Sequence, residues 1–418
     1  MKLGEIHNGE ATRWGRPLDG IRVLALEQYI AMPFATQVLQ RLGAQVVKVE
    51  APGAGEPGRA ALPTTTDADG RKAGASLLRH NLGKQSVAID LKQAEGRELV
   101  RSLARHFDVL CENLGPGRAE KMGLGYEALS SDAPRLIYLS ISGFGASGES
   151  PYANRPAMAG VAEAMSGAYE YARLPNQPPV VGPFGPLGDT STGMFGALGV
   201  LAAIRHRDRI GVGQFVDVAM FDSMIAMCDF VPNFWSMGLR KAPEERGRSP
   251  GFISPCKASD GWFTLYVLRA HQFQRLATTV GHPEWVGDAR LETPWSWAER
   301  ADDTICPAIN AWAATKTKAE AARLLSEAGV PAAPCNSAED LVHDPHVKAR
   351  RMLIEIARTD GVAEPVLVAG TPLKMTRIAE GPERSFPLLG ADTDTTLRDI
   401  LGLSEERIAS LRAAGIIG

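Results

Sequence analysis

Asp189 follows a glycine, precedes Thr190, Ser191 and Thr192, and opens a long apolar run that continues to about residue 204. Two kinds of chemistry fit that setting. An aspartate in front of a helical run can cap it, its carboxylate accepting a hydrogen bond from a free first-turn N–H. A carboxylate between Gly188 and Gly193 also has the room that lets a substrate come close. With a reference pKa of ~3.9 it is ionised at neutral pH and needs no activating base. Such a group is a weak nucleophile and suits only an activated acyl donor, such as a thioester. Local chemistry leaves capping and nucleophilic roles both open, and the positive end of the helix is expected to keep the carboxylate ionised.

Other residue patterns carry less. Glu50 ends a second apolar strand where a ribose-binding acid would sit, but the turn after the first strand, Gln28 to Pro33, holds no glycine for close approach of a pyrophosphate. A nicotinamide-dependent dehydrogenase is therefore disfavoured, while a nucleotide-like ligand at the carboxyl ends of the strands is still expected. His343 and His346 flank a turn and read as a surface loop rather than a metal pair. The basic run 205–209 follows a helix whose negative end it complements. Five well-separated cysteines, none at a CxxC spacing, read as reduced thiols. No GxSxG, HExxH, Walker A or EF-hand pattern is present, and no metal site is expected.

The elements that would position these residues alternate. IRVLALE (21–27), QVVKVE (45–50), SVAIDL (86–91), DVLCEN (108–113), RLIYLSIS (135–142) and QFVDVAM (214–220) read as strands. Helical patterns fall between them, with Pro33 suited to a first turn and Gly43 to a stop. That order predicts an α/β, doubly wound, Rossmann-like large domain over residues 1–225, with a smaller α+β domain over 226–330. Residues 331–418 are expected to form a linker and a C-terminal segment returning to the large domain. The stretch 233–255 reads as a linker, and the chain is loop-rich from 329 to about 380. The C-terminal LSEERIASLRAAGII reads as a helix capped by Ser404. With 418 residues, 44% hydrophobic and 22% charged, the chain is long enough for two cores. A net charge of −3 argues against nucleic acid or an anionic membrane as partner, and the polar N-terminus lacks a signal-peptide core, so the expected location is cytoplasmic.

Taken together, "LDGIRVL", "RLGAQVVKVEAPGAGEP", "NLGKQSVAIDLKQAEGRELV", "ENLGPGRAEKMGLGYEAL", "PRLIYLSISGFG", "GDTSTGMFGALGVLAA", "GVGQFVDVAMFDSMIAM", "GVPAAPCN", "DPHVKARRM", "GTPLKM" and "LLGADT" stand in one order from about Leu18 to the C-terminus. In that order they resemble the family III CoA-transferases, the group that includes formyl-CoA transferase, carnitine CoA-transferase and the α-methylacyl-CoA racemases. The resemblance implies that Asp189 is the acyl-accepting nucleophile, working through an aspartyl anhydride and an aspartyl-CoA thioester. It implies CoA contacts at Gln28, Tyr29, Ala31, Ile89, Lys92, Asn113, Lys121 and Met122, and a substrate pocket that includes Phe144, Met158 and Gly188. CoA and acyl-CoA would be substrates, with no permanently bound cofactor and a carboxylic acid as partner. A homodimer of interlocked rings is implied as well.

Departures from the family's patterns narrow the expectation. The His-Asp pair of the racemase branch is Met158 and Ala159 here, and neither can move a proton. The alternatives, a 2-methylacyl-CoA racemase or a non-catalytic CoA-binding protein, are disfavoured by that pair and by the intact Asp189 respectively. Ala51 stands where some relatives have a basic residue for CoA, so that contact is not expected here. Residues 248–252 lack the glycine run of formyl-CoA transferase, so a formyl or oxalyl substrate is not supported. Phe144, Met158 and Phe184 point to an apolar acyl group.

Overall fold

The computed structural model describes every residue except 149, 183–184 and 239–249. It divides into one unit made of residues 1–243 and 349–418 and another made of 244–348. In the first, six strands form one parallel sheet: β1 (Arg22–Leu26), β2 (Gln45–Glu50), β3 (Gln85–Ala88), β4 (Val109–Glu112), β5 (Ile137–Ser142) and β6 (Phe215–Ala219). Their order is β3-β2-β1-β4-β5-β6, the doubly wound arrangement whose switch point lies between β1 and β4. The strands read as near-continuous apolar runs because helices cover both faces, and β4 and β5 are buried at every residue.

Two helices matter most for the site. α1 (Ala31–Arg41) follows β1, with Pro33 in its first turn as expected. The long helix over Leu187–Ile210, here α4, lies along it; α2 (Ala94–Ala104) and α3 (Ala159–Met165) come between them in the chain, and α5 (Met220–Met227) follows β6. Glycines on α4 set the approach. A Cβ on Gly193 would lie 2.6 Å from the Ala31 carbonyl oxygen, and one on Gly196 would lie 3.7 Å from the Ala35 Cβ. Both contacts advance along the two helices together, so α1 and α4 run parallel. By length and composition α4 could cross a bilayer, yet half of its apolar window is buried, as befits a core helix against α1 and β5.

The C-terminal residues close one edge of the sheet. Gly418 N–H bonds the Ala88 carbonyl, Ile89 bridges to Ile417, and the Asp392 carboxylate and Thr393 hydroxyl accept from Ser86 and Ala88 N–H. Ser404 accepts from Arg407 N–H and caps the last helix, as its sequence predicts.

In the second unit, strands Phe252–Ala258, Gly261–Val267 and Ala332–Pro334 form an antiparallel sheet, with helices packed around Trp297 and Phe273, whose rings stack 4.5 Å apart. The stretch expected as a linker differs from that reading at both ends. Phe230–Ser236 is helical, and from Phe252 the chain alternates buried and exposed as a strand, its Pro255 tolerated on a sheet edge. The loop-rich stretch likewise contains Ala332–Pro334, two short helices and a hairpin of Leu353–Ile356 with Val366–Ala369. The unit boundary consequently falls near 348, because Ala332–Pro334 completes the smaller sheet.

Candidate active site

Loops after β1 and β4 meet at the switch point. Gln28 N–H donates to Asn113 Oδ1 at 2.9 Å, and Asn113 Nδ2 donates back to the Gln28 carbonyl at 3.0 Å. This reciprocal clamp holds the crevice in which doubly wound proteins bind ligands. Tyr29 is 42% exposed and adopts φ 61, a left-handed conformation costly for a tyrosine. Its N–H is fixed by Glu56 Oε2 at 3.0 Å, and its carbonyl accepts from Ser76 Oγ.

Beneath this loop lies a buried charge cluster. Lys84 Nζ bonds Glu27 Oε1 at 2.7 Å, Thr36 Oγ1 at 2.7 Å and Asn81 Oδ1 at 3.1 Å. Lys48 Nζ reaches Glu56 Oε1 at 3.2 Å and Glu27 Oε1 at 3.6 Å. Burial pulls Lys84 down to about 8 against the opposing pull of Glu27. Burial raises Glu27, but Lys84 and Lys48 outweigh it and hold that carboxyl below its usual range. Glu50 is spoken for: Arg59 donates to both its oxygens, at 2.6 and 2.7 Å, and Ser86 Oγ donates at 2.7 Å. No free carboxylate is left there for a ribose.

Asp189 is the third residue of α4, not its cap. The cap position is Pro186, without a side-chain bond. The N–H of Gly188 is instead taken by Glu163 Oε1 on α3 at 2.8 Å. Asp189 lies four residues before Gly193, about 6 Å beyond the Ala31 contact along the helix axis and on the same helical face. Because α1 and α4 run parallel, it stands beyond the start of α1. Half-buried, its carboxyl is pushed up to about 6, first by burial and then by the nearby Glu163 charge. The expectation that the helix end would hold it low is corrected here: Glu163 takes the helix N–H and adds like charge.

The remaining expected residues divide into three groups. Gln28, Tyr29, Ala31 and Asn113 gather around the switch-point loops. Lys92 and Lys121 are exposed, Lys92 just before α2 and Lys121 ending the short helix Arg118–Lys121, and Met122 is half-buried against the core. Ile89 is fully buried and bridged to Ile417, so its side chain faces the core. In the pocket group, Gly188 packs against Ala159, and Phe144 is buried edge-on to Tyr152 and Phe221. Met158, 67% exposed, immediately precedes α3. Phe184 and residues 248–249 lie outside the described residues. His343 and His346 are exposed, and Arg207 is buried on Asp108 at 2.9 Å, tying the end of α4 to the start of β4. Among the described residues, no group of three or more His, Cys, Asp or Glu is arranged to hold a metal.

Sequence reading missed three parts of the site. Glu163 is a carboxylate on the buried face of the small-residue helix α3, where Ala159 and Ala162 are also buried; a lone acid at core spacing was its only signal. Tyr169 donates to Glu163 Oε2 from the following helix. Asp217 on β6 accepts from Ala146 and Ser147 N–H at 2.9 Å and fixes the glycine-rich loop after β5.

Comparison with known proteins adds independent findings. The family described as CoA-transferase family III matches residues 18–393. The chain is 34% identical over 406 residues to the succinyl-CoA–L-malate CoA-transferase beta subunit of Chloroflexus aurantiacus, covering 96% of this chain and 98% of that one. It is 36% identical over 379 residues to a succinyl-CoA:mesaconate CoA-transferase of Haloarcula hispanica, covering 89% and 93%. A solved CAIB/BAIF family protein from Brucella suis superposes with TM-score 0.81 at 30% identity, covering 92% of this chain and 99% of that one.

Proposed function

Since the chain belongs to CoA-transferase family III, we propose that it carries coenzyme A from an acyl-CoA donor to a carboxylic acid through covalent intermediates on Asp189. The observation that carries this reading is the setting of Asp189. Its carboxylate stands half-buried at the head of α4, beyond the start of α1, and burial and the like charge of Glu163 are what shift it.

In the proposed sequence an Asp189 oxygen attacks the acyl carbonyl carbon, the C–S bond breaks, and its electron pair leaves as CoA thiolate. The thiolate then attacks the Asp189 carboxyl carbon of the anhydride, expelling the donor's carboxylate and forming an aspartyl-CoA thioester. The acceptor carboxylate attacks that thioester, and the released thiolate takes the acceptor's acyl group from the second anhydride, regenerating Asp189. No net proton is consumed, so the sequence of steps calls for no general base. Partial burial favours the reaction by stripping water from the carboxylate and by shielding the anhydride.

Gln28, Tyr29, Ala31 and Asn113 would receive CoA at the switch point, with Lys92 and Lys121 as exposed cations for its phosphates. Met158 and Ala159 support transfer over racemisation, since neither can carry a proton. The relatives' names make four- and five-carbon dicarboxylates, with succinyl-CoA as donor, the first pairs to try. A cytoplasmic homodimer is the assembly this reading expects. Screening acyl-CoA donors against a panel of carboxylic acids by mass spectrometry should reveal a productive pair. Asp189→Ala should abolish that exchange in a folded protein, and a folded Ala variant that still exchanges would overturn the proposal.

A further inference from the structure

Glu163 is a 3% exposed carboxylate on α3, and among the described residues its side-chain partners are a tyrosine and a backbone N–H, not a cation. Tyr169 O–H donates to Oε2, while Tyr169 itself accepts from Gly182 N–H at 3.0 Å. Oε1 accepts from Gly188 N–H at 2.8 Å, and Ser166 Oγ ties down the Glu163 carbonyl at 2.8 Å. A buried charge without a cation is costly, so this one is held by the positive end of α4.

That end is also where an aspartate would settle. In the first turn of a helix, a free N–H attracts the nearest carboxylate, and Asp189 adjoins Gly188. Leu187 and Thr190 N–H are already bonded to the Gly185 and Pro186 carbonyls. We propose that Glu163 is the positioning residue of Asp189: by taking the Gly188 N–H it occupies the capping site and leaves the Asp189 oxygens free to meet the acyl carbonyl. This rests on the reading of Asp189 as nucleophile and goes beyond it, because it assigns the freedom of that carboxylate to a second acid.

The surroundings isolate the pair. α1 presents Ala31, Phe34 and Ala35, all uncharged, to α4. α5 presents Met224, whose sulfur accepts from Ser191 Oγ at 3.7 Å. The titratable groups facing Glu163 are Asp189, Tyr169 and Cys228, whose ionised forms it disfavours. Of the rise of the Asp189 carboxyl from 3.8 to about 6, burial supplies the larger share and Glu163 the rest.

The test uses the full-length enzyme with Glu163→Gln and Glu163→Ala. The Gln variant retains an acceptor for Gly188 N–H but loses the charge. Its kcat should stay within about threefold of the parent, while the acidic limb of kcat/KM moves to lower pH by up to about one unit. The Ala variant frees the Gly188 N–H for Asp189, and kcat should fall about 10- to 100-fold with KM for acyl-CoA little changed. An Ala variant that folds and keeps its kcat overturns the inference. Where the Ala variant does not fold, an unmoved acidic limb in the Gln variant overturns it. Trapping the acyl adduct in the parent enzyme separates the two claims: no adduct on Asp189 sinks the nucleophile, whereas an adduct with insensitive Glu163 variants sinks only its positioning.

Discussion

Lowering the pH from 7 to 5 probes how Asp189 is held. Its carboxyl is raised to about 6 by burial and by Glu163, so about nine-tenths of the enzyme carries an ionised Asp189 at pH 7 and about one tenth at pH 5. In the proposed mechanism only the ionised form attacks, so kcat/KM should fall about tenfold over that interval, the loss deepening about tenfold for each further pH unit. An aspartate at the ordinary 3.8 would remain more than about nine-tenths ionised at pH 5, and the rate would barely change. The measurement is quenched-flow release of free CoA from an acyl-CoA whose acyl chain has no ionisable group, read by chromatography. Thiol reagents are best avoided, because Cys335 is exposed. Circular dichroism at each pH guards against unfolding. A rate that stays level down to pH 5 would refute the account of burial and like charge around Asp189.

Four further outcomes follow from the same contacts. Because the folded pKa of Asp189 lies above its unfolded value, the ionised carboxylate costs stability, a cost absent below about pH 3.8 and complete above about pH 6. Asp189→Asn should therefore raise stability by roughly 1–3 kcal/mol in urea melts at pH 8, less at pH 5, while abolishing exchange. Gly193→Ala puts a Cβ 2.6 Å from the Ala31 carbonyl oxygen and should cost about 1–3 kcal/mol in the same melts, with reduced turnover as α4 is pushed off α1. Asn113→Ala breaks the clamp on Gln28 and should raise KM for acyl-CoA about tenfold in steady-state assays, with kcat less affected. Lys84→Met leaves Glu27 with the more distant Lys48 as its cation, beside the Thr36 hydroxyl, and should destabilise by about 3–5 kcal/mol in thermal and urea unfolding.

Strand positions in the sheet were legible because each is a short apolar run bounded by turn residues; five of the six fall within two positions of their expected ends, and β3 stops at Ala88, three residues short of Leu91. Pro33 and Ser404 likewise marked their helices through local chemistry alone. Asp189 was visible as an acid at a helix start, but its relation to that start was not. Whether it caps the helix depends on what else reaches Gly188 N–H, and Glu163 arrives from 25 residues away in sequence. The buried partners Glu27, Lys48, Glu56 and Lys84 looked like ordinary charged residues until the fold brought them together. Ile89 shows the converse case. The family's pattern suggested a ligand contact there, whereas the returning C-terminus buries its side chain in the core.

The central claim is that acyl groups and CoA pass through the carboxylate of Asp189. Incubating the enzyme with succinyl-CoA, trapping with hydroxylamine or borohydride, and mapping peptides by mass spectrometry tests it directly. The account predicts a modified residue at Asp189 that requires acyl-CoA and is lost in Asp189→Asn. Turnover of acyl-CoA with no modification at Asp189, or with an adduct on another side chain, would contradict it.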